Sequence, residues 1–237
     1  MRRVLREVQH ALESLYRVDA AVDVRDFLIG DEVREALGLQ RMPREQLLLR
    51  EEPDGLSVGL FVDELALRRL ERMLTRTETA KAAPAAPERA REEADQRQLL
   101  MEHDHLGEFL LVVEGVSHFL YVALRTREHR PFSGLELELQ AEIDKYLLAL
   151  LWAWPEHGHP PEDLRERLFA RVSFLQGMSS EEHDRYRTAN AVADDYVASL
   201  ETRFVRRRAM PELLAEVRRF YRLDCAGKLD HIVRQAA

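Results

Sequence analysis

A segment rich in alanine, proline and charged residues divides the chain and limits what it can fold into. From Thr77 to Gln96 the sequence reads TETAKAAPAAPERAREEADQ and contains no large apolar side chain. Pro84 and Pro87 interrupt a helix there, and nothing in the segment can anchor it to a hydrophobic core. The sequence therefore predicts a linker over residues 77–96, with one domain before it and one after it.

Residues 1–76, before the linker, show a mixed helical and extended pattern. Apolar residues at helical spacing predict an amphipathic helix over residues 3–17. Val22 and Val24 alternate with charged residues, which is typical of a short strand. A further helix is predicted from Asp31 to Gly38, because aspartate is a good N-cap and glycine commonly follows a helix C-terminus.

A β-hairpin is the clearest local signal before the linker. Two apolar stretches, residues 46–50 and 56–62, flank the turn sequence Pro53-Asp54-Gly55, in which each residue favours a reversal of the chain. Asp63 then caps a helix that is predicted to end near Thr75. The first domain, residues 1–76, is therefore predicted to be a small α+β domain in the order helix, strand, helix, hairpin, helix.

Every element after the linker is predicted to be a helix. Apolar residues at spacings of three and four predict five helices, near residues 98–127, 134–153, 162–175, 180–207 and 211–223. Ser133 and Ser179 each precede a glutamate by three residues, the spacing of a capping box, which would use the carboxylate of Glu136 on a backbone amide. The sequence therefore predicts a five-helix bundle domain over residues 97–237 and a chain that is predominantly α overall.

Composition excludes several classes of protein. Hydrophobic residues make up 46% and charged residues 33% of the chain, which is globular composition, and the net charge of −8 gives no general attraction to nucleic acid. Cys225 is the only cysteine, which excludes an intrachain disulfide and a cysteine zinc site. The apolar runs are shorter than the roughly 20 residues of a membrane span, and none follows the N-terminal arginines as a signal peptide requires. We therefore expect a soluble, cytoplasmic protein without membrane contact.

Polar side chains interrupt the apolar faces of the first two helices after the linker. Glu114 and His118 are four residues apart and share a face with Tyr121, and Glu138 and Glu142 lie on the core side of the next helix. Three carboxylates and an imidazole suit a divalent metal ion. This pattern predicts Glu114, His118, Glu138 and Glu142 as metal ligands. Glu114, His118 and Tyr121 are then the candidate catalytic residues, beside a metal-activated water that hydrolyses a substrate.

The same polar residues also have a purely structural interpretation. Glu114 and His118 can pair with each other or with an arginine inside the bundle, or they can form a surface face for a partner helix. Their spacing matches neither the Glu-x-x-His of di-iron bundles nor the His-Glu-x-x-His of zinc proteases. The chain also lacks the motifs of nucleotide-binding loops and of serine hydrolases.

Two functions remain open at the level of sequence. The first is a protein–protein interaction module (an adaptor, regulator or assembly component), because a linker lets one domain hold a partner while the other searches. The second is a metal-binding protein or metal-dependent hydrolase. The basic cluster Arg203, Arg206, Arg207 and Arg208 is explained by a helix C-terminus and has no nucleic-acid motif beside it. We therefore expect a protein partner rather than nucleic acid, and the exposed helix faces would allow an oligomer as readily as a monomer.

Overall fold

The computed structural model of the chain describes residues 2–39, 43–53, 55–81, 103–157, 163–170 and 179–236. Helices make up 73% of it, and the strands form one two-stranded sheet. The prediction of an α+β N-terminal part, a helical C-terminal part and a predominantly α chain is therefore confirmed.

Contacts divide the chain into two compact units. The first unit comprises residues 1–10 and 21–119, and the second comprises residues 11–20 and 120–237. Residues 82–96 of the predicted linker lie outside the described residues, so the domain boundaries at 76 and 97 stay a prediction.

The first unit contains the hairpin and the helices that surround it in sequence. Its elements, two of which also extend into the second unit, are α1 (Arg3–Tyr16), a 3-10 turn (Val24–Phe27), α2 (Asp31–Ala36), β1 (Glu45–Glu52), β2 (Gly55–Val62), α3 (Glu64–Lys81) and α4 (His103–Arg127). The predicted hairpin is confirmed, with Glu45 opposite Val62 and Glu52 opposite Gly55. In place of the strand predicted at Val22 and Val24 there is the 3-10 turn, because the Asp23 carboxylate accepts a hydrogen bond from the backbone amide of Arg25 and caps it.

Gly115 allows α4 to approach the hairpin closely. A Cβ atom at this position would lie 2.9 Å from Cγ of Glu45 and 3.1 Å from Cδ1 of Leu60. Side chains do not tolerate contacts this short, so glycine is the residue that lets this part of α4 pack on the two strands.

The second unit is helical and fits the predicted bundle. Its elements after α4 are α5 (Gly134–His157), a π-helical turn (Glu166–Ala170), α6 (Ser180–Leu200), a second π-helical turn (Glu201–Val205), α7 (Met210–Tyr221) and α8 (Cys225–Ala236). The capping box at Ser179 is present. Helix α8 was not predicted, and it adds a helix after the last predicted one.

Helix α4 is long and apolar enough to cross a membrane by length and composition alone, over His105–Arg127. However, 72% of that window is buried inside the protein. This is the burial of a core helix and not that of a helix facing lipid.

Candidate functional sites

The predicted ligands on α4 lie in the first unit, where His118 is paired with a strand residue. The His118 side chain is 7% exposed, and its Nδ1 lies 3.5 Å from Oε1 of Glu45, which is 8% exposed. Glu114 is half-buried on the same helix. The imidazole thus packs beside a carboxylate that the sequence had not singled out.

The other predicted site residues lie in the second unit. Glu138 is buried, and Oε1 of Glu142 lies 2.7 Å from the Lys145 amine one helical turn along. In the described part of the chain, no group of three or more His, Cys, Asp or Glu side chains is arranged to hold a metal ion. The metal site therefore stays a prediction without support from the described residues.

A set of polar residues that the sequence had not grouped lies inside the second unit. Its eight members come from five helices, and each is at most 6% exposed. We call it the Lys228 cluster: Tyr16, Tyr121, Arg125, Glu136, Gln140, Asp144, Tyr221 and Lys228. Of the predicted catalytic residues, only Tyr121 belongs to it.

Helical spacing aligns the members that α5 contributes to the Lys228 cluster. Glu136, Gln140 and Asp144 are each four residues apart and so share one face. Glu136 does not fill the capping role predicted for it. Ser133 Oγ accepts a hydrogen bond from the Glu136 amide, but the Glu136 carboxylate turns inward, where Arg125 Nη2 donates to it over 3.1 Å.

Two carboxylates organise the hydrogen bonds of the cluster. The hydroxyl of Tyr121 donates to Glu136, and Arg125 Nη2 donates to the same hydroxyl oxygen. At the other end, Asp144 accepts from the hydroxyl of Tyr16 and, over 2.8 Å, from Nε2 of Gln140. Gln140 and a lysine connect the hydrogen bonds around Glu136 with those around Asp144.

That lysine, Lys228, is fully buried. Its amine donates to Oε1 of Gln140 over 2.8 Å and to the hydroxyl of Tyr121 over 2.9 Å. Oε1 of Glu136 lies farther away, at 4.0 Å. Lys228 therefore closes a continuous hydrogen-bonded chain from Asp144 through Gln140 and Tyr121 to Glu136.

Burial controls the charge states in this cluster. Burial lowers the pKa of Lys228 to about 7, although the charge of Glu136 opposes the change. Burial raises the pKa of Tyr121 above its ordinary value, and its hydrogen bond to Glu136 acts in the same direction. Near neutral pH the phenol therefore keeps its proton, while the lysine amine titrates.

The rings of Tyr121 and Tyr221 lie close to the Lys228 amine, and among the described residues two donors of the cluster have no acceptor. Tyr221 stacks on Tyr16 with ring centroids 3.9 Å apart and meets Tyr121 edge-on at 5.4 Å. Among the described residues, neither the Tyr221 hydroxyl nor Nε of Arg125 has a hydrogen-bond partner. Unpaired buried donors are costly, so an acceptor that reached these two groups would be stabilised by them.

Five arginines of the second unit gather at the C-terminal end of α1. We call them the α1 arginine patch: Arg17, Arg127, Arg130, Arg218 and Arg222. Arg218 Nε donates to the carbonyl of Leu15 over 2.7 Å, and Arg222 Nη2 donates to the carbonyl of Tyr16 over 3.2 Å. Guanidinium groups are stabilised there by the free carbonyls and the negative end of the helix dipole.

The remaining members extend the patch around the same helix end. Arg127 Nη1 donates to the carbonyl of Asp19 over 2.7 Å, and Arg130 Nη1 donates to the carbonyl of Arg222 over 3.2 Å. Arg17 follows the last residue of α1 in a left-handed conformation, with φ of 53°. Backbone carbonyls thus hold four guanidinium groups in place, with the fifth on the adjoining turn.

Ion pairs among the described residues balance little of the charge of the patch. Arg130 lies 3.6 Å from Glu128, but the other four arginines have no ion-pair partner among the described residues. Partial burial, and then the charges of Arg17 and Arg222, lower the pKa of Arg218. The positive charges therefore repel one another within the patch.

The sequence emphasised a different group of arginines. Arg203 Nη1 donates a hydrogen bond to Oε1 of Gln235 and lies 3.7 Å from Oε1 of Glu216. By contrast, Arg206, Arg207 and Arg208 are exposed. The members of the α1 arginine patch come from three separate stretches of the chain, so no local run reveals them. Pairs of arginines at helix C-termini, such as Arg218 with Arg222, were the only signal available.

No known protein family, curated protein or solved structure matches this chain.

Proposed function

We propose that this protein is a cytoplasmic protein–protein interaction module, an adaptor, regulator or assembly component, whose second unit binds an acidic partner through the α1 arginine patch. The observation that carries the proposal is the set of four clustered guanidinium groups without a carboxylate partner among the described residues.

Such a patch exceeds what the fold requires. One or two cations suffice to complement a helix C-terminus, and the chain contains 43 acidic residues against 35 lysines and arginines. Carboxylates were thus available to neutralise the patch, yet it keeps charges that repel one another. A surface that carries this cost is best explained by a partner that supplies the missing negative charge.

Guanidinium chemistry favours carboxylates as that negative charge. The planar fork of arginine matches a carboxylate with two parallel hydrogen bonds. Because backbone carbonyls already hold four of the five side chains, these four lose little rotational freedom on binding. The net charge of −8 repels a long polyanion such as nucleic acid, whereas a short acidic protein segment can contact the patch alone.

The first unit contributes a surface of a different kind. Among the described residues, five of the six exposed large apolar side chains belong to it, including Val33 and Leu37, which are 43% and 57% exposed. These two are four residues apart at α2 and share one side of it. Exposed apolar side chains that lie together often mark a binding surface. The predicted linker would let the two surfaces engage separate parts of a partner.

The proposal is tested with a fluorescent poly-glutamate peptide and two charge-matched double variants. Arg17→Gln with Arg127→Gln removes two charges from the patch, and Arg206→Gln with Arg207→Gln removes two exposed charges elsewhere. We expect the first variant to bind the peptide about tenfold more weakly, at up to 1 kcal/mol for each lost ion pair. The second variant should bind as the parent chain does, and added salt should weaken binding in both. Fluorescence anisotropy gives the affinities.

Equal losses in both variants would show that the peptide senses net charge only, and would contradict a specific patch. If the chain bound a DNA duplex more tightly than the peptide, the result would indicate nucleic acid as the partner and contradict an acidic protein. A poly-lysine peptide serves as the negative control.

A further inference from the structure

The hydrogen bonds of Lys228 match those of a neutral amine. A neutral amine has two N–H groups and a lone pair, whereas an ammonium ion has three N–H groups. Two acceptors lie within hydrogen-bond distance of Nζ, namely Gln140 Oε1 and the Tyr121 hydroxyl. Glu136, at 4.0 Å, is too distant to accept a third. The remaining side of Nζ borders the rings of Tyr121, Phe220 and Tyr221, whose centroids lie 4.4, 5.5 and 5.9 Å away, and offers no third oxygen among the described residues. In the neutral amine the lone pair lies on this side and makes the amine a nucleophile.

Complete burial of Lys228 selects the electrophile. A bulky aldehyde or ketone would have to displace the tyrosine rings that enclose the amine. Carbon dioxide is small, uncharged and apolar, so it enters a protein interior without a cleft. We propose that Lys228 is a modification site at which carbon dioxide adds reversibly to form a carbamate.

The addition can be completed inside the cluster. The lone pair of Nζ forms a bond to the carbon of carbon dioxide, and one carbon–oxygen π bond becomes a lone pair on oxygen. The nitrogen then loses a proton to the Tyr121 hydroxyl, which already donates its own proton to Glu136. The products are a carbamate anion and a protonated Glu136. Because one negative charge appears as another disappears, the net charge of the buried cluster does not change.

The two unpaired donors of the cluster suit the product. A carbamate has two oxygen atoms that share one negative charge and accept hydrogen bonds. Nε of Arg125 and the hydroxyl of Tyr221, for which the described residues provide no acceptor, are donors of the required type. The permanent charge of Arg125 adds an electrostatic contribution, since a guanidinium stays protonated. The same cluster that surrounds the amine thus holds two donors that an anion formed there could use.

Carbon-13 NMR of the full chain under ¹³C-labelled carbon dioxide tests this inference directly, without a reagent that must enter the core. We expect a carbamate carbon signal, separate from that of the N-terminal amine, that rises with carbon dioxide and is lost in Lys228→Met. The signal should remain in Lys145→Met, which removes a lysine bonded to Glu142 on α5. Absence of the signal in the parent chain, or its survival in Lys228→Met, would overturn the inference.

A pair of tyrosine variants keeps the test decisive if Lys228→Met does not fold. Tyr221→Phe removes a donor from the cluster but keeps the ring. Tyr196→Phe removes another buried hydroxyl that has no hydrogen-bond partner among the described residues, outside the cluster. We expect the carbamate fraction to fall about tenfold in Tyr221→Phe, because hydrogen bonds to charged groups are strong, and to stay unchanged in Tyr196→Phe. Equal fractions in the two variants would contradict the site.

Discussion

The two units treat buried charge in different ways. In the first unit, the carboxylates of Glu45 and Glu108 lie beside the bases His118 and Arg69 respectively. In the second unit, several donors share the two carboxylates of the Lys228 cluster, and two donors have no acceptor among the described residues. Pairing does not satisfy every buried atom of the first unit either, since Oε2 of Glu108 has no hydrogen-bond partner among the described residues. The second unit differs because its carboxylates share their donors, so the loss of one member affects several others.

Energetics support this contrast. A buried ion pair is often no more stable than apolar side chains of the same volume, so stability alone does not favour retaining it. Removing one partner is costly, however, because the other charge is left buried without compensation. The difference between the units should therefore appear when single carboxylates are removed.

Glu136→Ala should cause the largest loss. It leaves Arg125, at 3% exposure, without its hydrogen-bonded carboxylate and with only the partly exposed Glu128 at 4.0 Å, and the free energy of unfolding should fall by about 3–5 kcal/mol. Glu108→Ala is the matched change in the first unit. Its partner Arg69 is 45% exposed on its side chain and can turn to water, so the loss should be about 1 kcal/mol. Urea unfolding measures both, and equal losses would remove the contrast.

Lys228 should make the stability of the second unit depend on pH. Its pKa is about 7 in the folded chain against 10.5 when exposed. The unfolded chain therefore binds more protons between these values, and stability rises with pH there. Between pH 7 and 9 the gain should be on the order of 2 kcal/mol, and it should be absent in Lys228→Met. A flat profile in the parent chain would contradict the lowered pKa.

Above that pH range, the tyrosines of the cluster should make the stability fall as the pH rises. Burial and then the charge of Asp144 raise the pKa of Tyr16 in the folded chain. The unfolded chain therefore loses its phenol protons first, and stability should fall as the pH rises beyond about 10. The unfolding free energy should thus pass through a maximum between the two regimes.

Gly115→Ala tests the close packing of the first unit. The added Cβ would lie 2.9 Å from Cγ of Glu45, and such overpacking costs about 1–3 kcal/mol, partly offset by the better helix propensity of alanine. Gly107→Ala, on the same helix with no atom within 4 Å of the new Cβ, should raise stability by up to about 1 kcal/mol. Thermal unfolding of the two variants should therefore shift in opposite directions, and a shift in the same direction would contradict the packing argument.

Much of the fold could be predicted from the sequence because its signals are local. The hairpin depends on a Pro-Asp-Gly turn between two apolar stretches, and the capping box at Ser179 depends on a glutamate three residues later. The strand predicted at Val22 and Val24 was wrong because the Asp23 carboxylate caps a 3-10 turn there. Alternation over three residues is too short to outweigh such a cap.

The candidate sites could not be predicted in the same way, because they depend on tertiary structure. Tyr16 and Lys228 are far apart in sequence, and each meets α5 only after the helices pack. Glu136 matched a local capping pattern, but its carboxylate has stronger partners in Arg125 and Tyr121. Patterns within one helix identify which residues share a face. They do not identify the helix that this face will meet.

The binding proposal is tested most directly by comparing stability and affinity in one pair of variants. Arg17 and Arg208 both have left-handed backbones, with φ of 53° and 55°, and only Arg17 belongs to the α1 arginine patch. Glycine adopts this conformation without steric strain. Arg17→Gly and Arg208→Gly should therefore each raise the unfolding free energy by about 0.5–1 kcal/mol. We predict that only Arg17→Gly also weakens binding of the poly-glutamate peptide. Unchanged affinity in Arg17→Gly, or equal weakening in both variants, would contradict the account.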